Sequence, residues 1–188
     1  NVVAKFNHNK SQWGLFYNLS ARNFKKTYTD IDETYVLENK TIHRVQEGLH
    51  DQNKHFTHNI DLSYNLTEQD KYVFNVVFRN SVYDAPCLNQ SNKLYDAADA
   101  DNYIFSRLKN KQSSYTPSLD LYYQRTLPKN QMLTMSVTGT LMHTDNNRLY
   151  HEYTPQAEDL AMIETDVTGN KRSIIGEAIY DKRFKFLV

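Results

Sequence analysis

The chain has 188 residues, 22 Lys+Arg against 22 Asp+Glu, one Cys and a mean hydropathy of −0.73. That size fits one domain or a large piece of one, and the balanced charge provides no field for nucleic acid or an anionic membrane surface. No apolar run is long enough for a transmembrane helix, yet a transmembrane β-barrel escapes that test because its strands alternate.

Apolar residues, with Tyr set aside and Gly counted in, make up roughly a third of the chain, below the ~45–50% usual for globular domains. Aromatics reach 13%, whereas disordered chains are poor in them. The chain therefore reads as folded but short of aliphatics. With Cys87 alone, no internal disulfide framework and no Cys-based zinc site can form. The opening Asn1-Val2-Val3, with no Met and no signal-peptide core, reads as cut from something longer.

In chain order, the expected elements are strands. In Gln12–Ser20, Trp13, Leu15, Tyr17 and Leu19 share a face. In Asn59–Leu66, Ile60, Leu62, Tyr64 and Leu66 oppose Asn59, Asp61, Ser63 and Asn65. Tyr72–Tyr83 is a strand apolar on both faces at first. Ser118–Leu127 carries Leu119, Leu121, Tyr123 and Leu127 on one face, interrupted by Arg125. In Met132–Leu141, Leu133, Met135, Val137, Gly139 and Leu141 oppose Met132, Thr134, Ser136, Thr138 and Thr140. Ser173–Phe186 is a last, less regular strand with Tyr180, Phe184 and Phe186 in phase. Repeated period-two alternation is the mark of half-buried strands.

The connections divide into two kinds. His8–Ser11, Thr67–Lys71 and Leu127–Gln131 are tight and polar. About Tyr83 to Tyr115 and about Thr154 to Lys171 read as long excursions. Arg22 to His58 reads as extended chain folded once near Glu38-Asn39-Lys40, so Gln12 to about Glu38 and Thr41 to Leu66 are single β runs. Within the first excursion, Ser91–Lys111 lacks alternation and is expected to hold a short helix. Tight and long connections thus alternate. An all-β, antiparallel up-and-down meander follows, with tight turns at one end and long excursions at the other, as in part of a transmembrane β-barrel.

No G-x-S-x-G, P-loop or G-x-G-x-x-G occurs, so no catalytic residues, cofactor or enzymatic activity are expected. His50, His55, His58 and the pair His143 and Asp145 lack the rigid frame of a metal site and read as solvated loop residues. Asp96, Asp99 and Asp101 lack the spacing and Gly of an EF-hand and read as a solvated or helix-capping cluster. The N-x-S/T matches at Asn9, Asn18, Asn39, Asn65 and Asn89 read as chance in a chain rich in Asn, Ser and Thr. Trp13, Tyr17, Tyr64, Tyr72, Tyr122, Tyr123 and Tyr180 lie on strands. They suit the aromatic girdle of a membrane interface, and equally the general liking of Tyr for strands. Tyr28, Tyr95, Tyr103 and Tyr115 lie in or beside the long excursions, where they could stack on a sugar or peptide.

The stretch Thr116–Gln131 (TPSLDLYYQRTLPKNQ), continuing through Leu133-Thr134-Met135, Thr138-Gly139-Thr140 and Asn147–Glu152, resembles the outer-membrane β-barrel family of TonB-dependent receptors. Ser173–Tyr180, Asn9-Lys10-Ser11 through Tyr17 and Tyr72–Phe78 are similar to it as well. The resemblance is one of strand and turn texture over most of the chain. It implies a large barrel in the outer membrane of a Gram-negative cell, outer-membrane lipid around it, an N-terminal plug and TonB-driven uptake of a nutrient. About seven or eight strands and no plug are found, so residues 1–188 are expected to be a partial barrel region lacking its plug domain. The resemblance carries no ligand-binding residue onto a numbered position and names no ligand. The other expectation is a soluble surface or periplasmic β-sheet module that binds glycan through its Tyr-rich loops.

Overall fold

The computed structural model describes residues 1–37 and 40–182. Among these, nine strands form one antiparallel sheet: β1 (Val2–His8), β2 (Ser11–Thr27), β3 (Ile31–Leu37), β4 (Lys40–Leu49), β5 (Asp51–Glu68), β6 (Tyr72–Asp96), β7 (Asp99–Leu127), β8 (Gln131–Tyr153) and β9 (Asp159–Lys182). The sheet order is β1-β2-β5-β6-β7-β8-β9, with β3 paired to β4 and β4 paired to β6. The all-β, antiparallel up-and-down meander is therefore observed.

Seven lanes suffice to describe it. β6 pairs with β5 over Tyr72–Leu88 and then with β4 over Ser91–Asp96, so β4 and β5 run in succession along one neighbour. The expected single runs Gln12–Glu38 and Thr41–Leu66 are each broken once, at Tyr28–Asp30 and at His50. Side chains mend the break. The buried Asp51 carboxylate accepts the Ser91 amide at 2.5 Å and its hydroxyl at 3.0 Å. Asn53 Oδ1 accepts the Asn89 amide at 2.6 Å, and Asp30 accepts the Gly48 amide at 2.8 Å. Backbone donors that lose a ladder partner must find another acceptor. The expected fold near Glu38-Asn39 lies partly outside the described residues; β3 and β4 pair on either side of it.

The three tight turns lie at one end. Thr67 N–H donates to Lys10 O at 3.0 Å, and Thr126 N–H donates to Lys71 O at 2.9 Å, linking successive turns. They are built without glycine: Asn9, Asp70, Lys129 and Asn130 take the positive φ values, a conformation Asn and Asp tolerate.

The two long excursions are not loops. Tyr83 to Tyr115 is a continuation of β6 and β7, joined by a short turn at Ala97-Ala98, and Ser91–Lys111 is strand rather than helix. Thr154 to Lys171 is a turn followed by β9, which starts at Asp159 rather than near Ser173. Phe184 and Phe186 lie outside the described residues. The alternation fails there because both faces are polar, and cross-strand pairing rather than amphipathicity holds the strands. One β-bulge at Pro86-Cys87 shifts the β6 register; proline, with no amide to offer the ladder, fits such a site.

The registers place the expected apolar faces on one side of the sheet. Trp13, Tyr64, Val76, Leu121, Val137 and Gly176 form one cross-strand row; Leu15, Leu62, Phe78, Leu119, Gly139 and Ile174 form the next. The opposite face carries Gly14, Ser63, Val77, Asp120 and Thr138. On β7 and β8 the apolar residues Tyr115, Leu119, Met135, Val137 and Leu141 are exposed, while Thr116, Ser118, Asp120 and the row of Thr and Ser from Thr134 to Thr140 are half-buried. β2 and β6 depart from this, with Phe16, Arg79 and Ser81 exposed on the polar face. The deepest residues, Ala85 (0% exposed), Ser106 (4%), Asn92 (5%) and Leu94 (5%), all lie on the polar face or its continuation. Among the described residues no second layer covers the apolar side: Ile174 is 83% exposed. A water-soluble sheet buries the other face.

Candidate functional site

Beyond the apolar band, the polar face continues into the far ends of β4 and β6–β9. Three successive rows cross it. Gly48, Asn92, Ser106, Glu152 and Ala161 form one; Gln90, Leu108, Tyr150 and Ile163 the second; Leu88, Asn110, Arg148 and Thr165 the third. Arg44 and Gln46 on β4 stand beyond the first row, opposite Asp96 and Leu94.

Arg44, Gln46, Gln90, Asn92, Leu94, Ser106, Leu108, Arg148, Tyr150, Ile163 and Thr165 line one cavity of about 370 Å³. Five neighbouring lanes contribute. Strands stand ~4.8 Å apart, so a flat sheet would hold β4 and β9 roughly 19 Å from one another. Sharing one small cavity therefore requires the sheet to curl around its polar face. The volume falls near the lower end of the ~300–1,000 Å³ range of ligand pockets.

The chemistry is that of a polar wall. The Tyr150 hydroxyl donates to the Glu152 carboxylate. Burial first, then that acceptor, pushes the Tyr150 phenol up to about 12, so it remains a donor at any ordinary pH. Arg44 is close enough to act on the same phenol and also reaches that of Tyr35. Among the described residues neither Arg44 nor Arg148 forms an ion pair. Asn92 Nδ2 donates to Ser106 Oγ at 3.4 Å, and its Oδ1 is buried with no partner among the described residues. Asn110 Oδ1, Asn146 Oδ1 and Thr144 Oγ1 on the same face are likewise unpartnered. Such groups cost free energy unless something donates to them.

None of these residues was singled out from the sequence. Arg148, Tyr150 and Glu152 alternate, which places them on one face, but their face was unknown until the register was. The residues that were singled out lie elsewhere. Tyr95 and Tyr103 face one another across β6 and β7 on the opposite side of the sheet, with Lys93 Nζ 4.8 and 4.4 Å from their ring centres. Tyr115 packs 5.0 Å from His143, and Tyr28 5.4 Å from His50. Of the expected girdle residues, Trp13, Tyr17, Tyr64, Tyr72, Tyr123 and Tyr180 do share the apolar face, and the Trp13 and Tyr64 rings pack with centres 4.4 Å apart, tilted by 44°. Tyr122 lies on the polar face, its hydroxyl donating to Gln124 at 2.7 Å.

His55 lies on a strand between Phe24 and Tyr83, and His58 accepts or donates a bond of 2.9 Å with Tyr17. His143 is held by Asn170 and Asp145, at 2.8 and 2.9 Å. Among the described residues no three His, Cys, Asp or Glu side chains converge as a metal would require. Asp96 caps the short turn by accepting the Ala98 amide at 2.9 Å, so the acidic cluster serves a hairpin rather than a helix. Asn18 and Asn65 are strand residues of the polar face, Asn9 a turn residue and Asn89 part of β6; Asn39 lies outside the described residues.

No protein-family model matches the chain, and no curated protein matches it.

Proposed function

We propose that the chain is part of the barrel of a TonB-dependent outer-membrane receptor that imports a nutrient. The observation supporting this most strongly is the inverted exposure of the sheet. An apolar face runs in register across the sheet, with Trp13, Leu19, Leu62, Leu119, Met135, Val137 and Leu141 exposed on it, and on β7 and β8 the polar face is the more enclosed side. Lipid is the environment in which that arrangement is stable. The band has fitting dimensions. Leu133–Leu141 rises ~27 Å along its strand at ~3.4 Å per residue, or ~21 Å once tilted by ~40°, against a lipid-facing band of ~25 Å. Aromatic rings share this face: Trp13 and Tyr64 in the Val137 row, Phe74 and Tyr123 one pair nearer the tight turns, and Tyr17 and Tyr115 on the far side of that row.

On this reading Leu133, Met135, Val137 and Leu141 face lipid, and Thr134, Ser136, Thr138 and Thr140 face the lumen. The strands beyond the band stand outside the cell and carry the ligand cavity. The barrel binds and conducts; energy arrives from TonB through the plug. No chemical transformation of the ligand is involved.

The test is Val137→Asp against Thr138→Asp in the full-length protein. Basic residues on the lipid face cost ~2–4 kcal/mol at the midplane and Asp somewhat less. Val137→Asp should reduce folded protein in the outer membrane, and Thr138→Asp should be tolerated. Equal tolerance of the two would sink the assignment. A monodisperse folded protein without detergent would favour the soluble glycan-binding sheet instead.

A further inference from the structure

From the cavity on the far polar face, we propose a binding site for a small hydroxylated carboxylate, a molecule of the acid-sugar class. The inference rests on reading that face as the lumen wall. It adds the ligand's chemistry and the residues that hold it.

The site is built rather than incidental. Asn92 is 5% exposed and its Oδ1 has no partner among the described residues, so a buried acceptor waits for a donor. Arg44 and Arg148 line the same cavity and form no ion pair among the described residues. Two guanidinium groups without a carboxylate of their own select a planar anion, which each can grip with paired N–H donors. Buried Ser106 and the amides of Gln46 and Gln90 add hydrogen-bonding groups of both kinds. Leu94, Leu108 and Ile163 offer apolar surface to the C–H faces of a ring.

Glu152 narrows the class. Its carboxylate, engaged by the Tyr150 hydroxyl, lies one position beyond Asn92 and Ser106 in the same row. It borders the cavity behind Tyr150 and Ser106 rather than lining it, so a second anionic group on that side would be repelled, whereas ligand hydroxyls would not. A carboxylate held by an arginine, with hydroxyls along the Asn92–Glu152 row that lies between Arg44 and Arg148, is therefore the complementary pattern. A purely apolar acid leaves Asn92 Oδ1 orphaned; a neutral sugar leaves both arginines unused. A site with buried polar groups discriminates against ligands that cannot pair them.

The experiment is calorimetric titration of the full-length protein in detergent with D-glucuronate, D-glucose and cyclohexanecarboxylate. Glucuronate should bind, and each of the other two should bind at least tenfold more weakly. Arg44→Gln and Arg148→Gln should each weaken glucuronate binding at least tenfold, Arg148→Lys less, while Arg107→Gln on the opposite face leaves it unchanged. Thermal unfolding of each variant separates lost binding from lost fold; Arg148 is exposed, so Arg148→Gln should fold. Glucose binding as tightly as glucuronate, wild-type affinity in both Gln variants, or no glucuronate binding by protein that is folded and inserted would overturn the inference. That last outcome leaves the barrel reading standing, because insertion is judged separately by the Val137 and Thr138 variants.

Discussion

Gly48 occupies the seam where β4 takes over from β5, and replacing it with Ala should loosen the distal hairpin that carries Arg44. A methyl at Gly48 would stand 2.5 Å from Thr29 N, 2.7 Å from Thr29 O and 2.9 Å from Thr29 C. Ordinary contact begins at ~3.5 Å, so about 1 Å of backbone movement is needed. Thr29 cannot yield freely, because the neighbouring Asp30 accepts the Gly48 amide at 2.8 Å. Relief of the clash stretches that bond. Overpacking costs ~1–3 kcal/mol and a hydrogen bond to a charged acceptor is worth ~1.5–3 kcal/mol, partly recovered from water at this exposed site. Set against a Gly→Ala gain of about 0.5 kcal/mol, the expected local loss is about 2 kcal/mol. Gly139→Ala is the control: nothing lies within 4 Å of its added methyl, so it should be neutral or slightly stabilising. Hydrogen exchange of the full-length protein in detergent, followed over Thr27–Leu49, reads the difference. At 1.4 kcal/mol per tenfold, Gly48→Ala should exchange roughly 30-fold faster there. Unchanged exchange in Gly48→Ala, or equal damage from Gly139→Ala, would refute the reasoning.

Asp51→Ala should orphan the Ser91 amide and hydroxyl, costing about 2–3 kcal/mol; thermal unfolding should show it, and Asp51→Asn, which keeps an acceptor, should lose less. At the other end, Glu68 is bonded to Lys71 at 2.6 Å and Lys10 at 3.0 Å, which tie the turns of two hairpins together and pull its carboxyl down to about 2. A depressed folded pKa means the contribution is fully present above the ordinary value of 4.5 and is lost as pH falls toward 2. Melting of the wild type should therefore drop between pH 4.5 and 2 by more than that of Glu68→Gln; identical profiles would count against the clip. In lipid the outer edge of β9 must be paired, so exchange over Asp159–Lys182 in the full-length protein should be as slow as over β8, and fast exchange in β9 alone would mean an open edge.

The sequence made half of each long strand legible and left the other half unread. Where one face carries apolar side chains and the other polar ones, as in Leu133–Leu141, alternation exposes both the strand and its faces. In Asp84–Asp96 and Asp99–Ser114 both faces are polar, and no contrast marks the period. The Ala, Leu and Lys of Ser91–Lys111 then suggest helix, although pairing with β4 and β8 decides otherwise. The bulge at Pro86-Cys87 adds a phase shift that cannot be seen without a partner strand. The cavity depends on that shift: it puts Leu88, Gln90 and Asn92, rather than Cys87, Asn89 and Ser91, on the enclosed face. Faces could be assigned within one segment, but not carried across the bulge.

On the outer-membrane reading proposed above, the two halves of these strands answer to different solvents, and that division explains where a ligand site can be. Within the band Arg79 pairs with Asp120 on the polar face, and the outer face is mostly apolar, with Asn80 and Arg125 as exceptions. Beyond it the outer face becomes polar too, with Asn147 donating to Asp166 at 2.8 Å and Thr168 to Asp145 at 2.8 Å. Cross-strand bonds of this kind hold the sheet together without an apolar layer. The enclosed face is thereby free to leave acceptors such as Asn92 Oδ1 unpaired. In a soluble sheet that face would be core, and an orphaned amide there would be a defect. In a sheet that buries its polar side it is the place where selectivity for a polar ligand can be built.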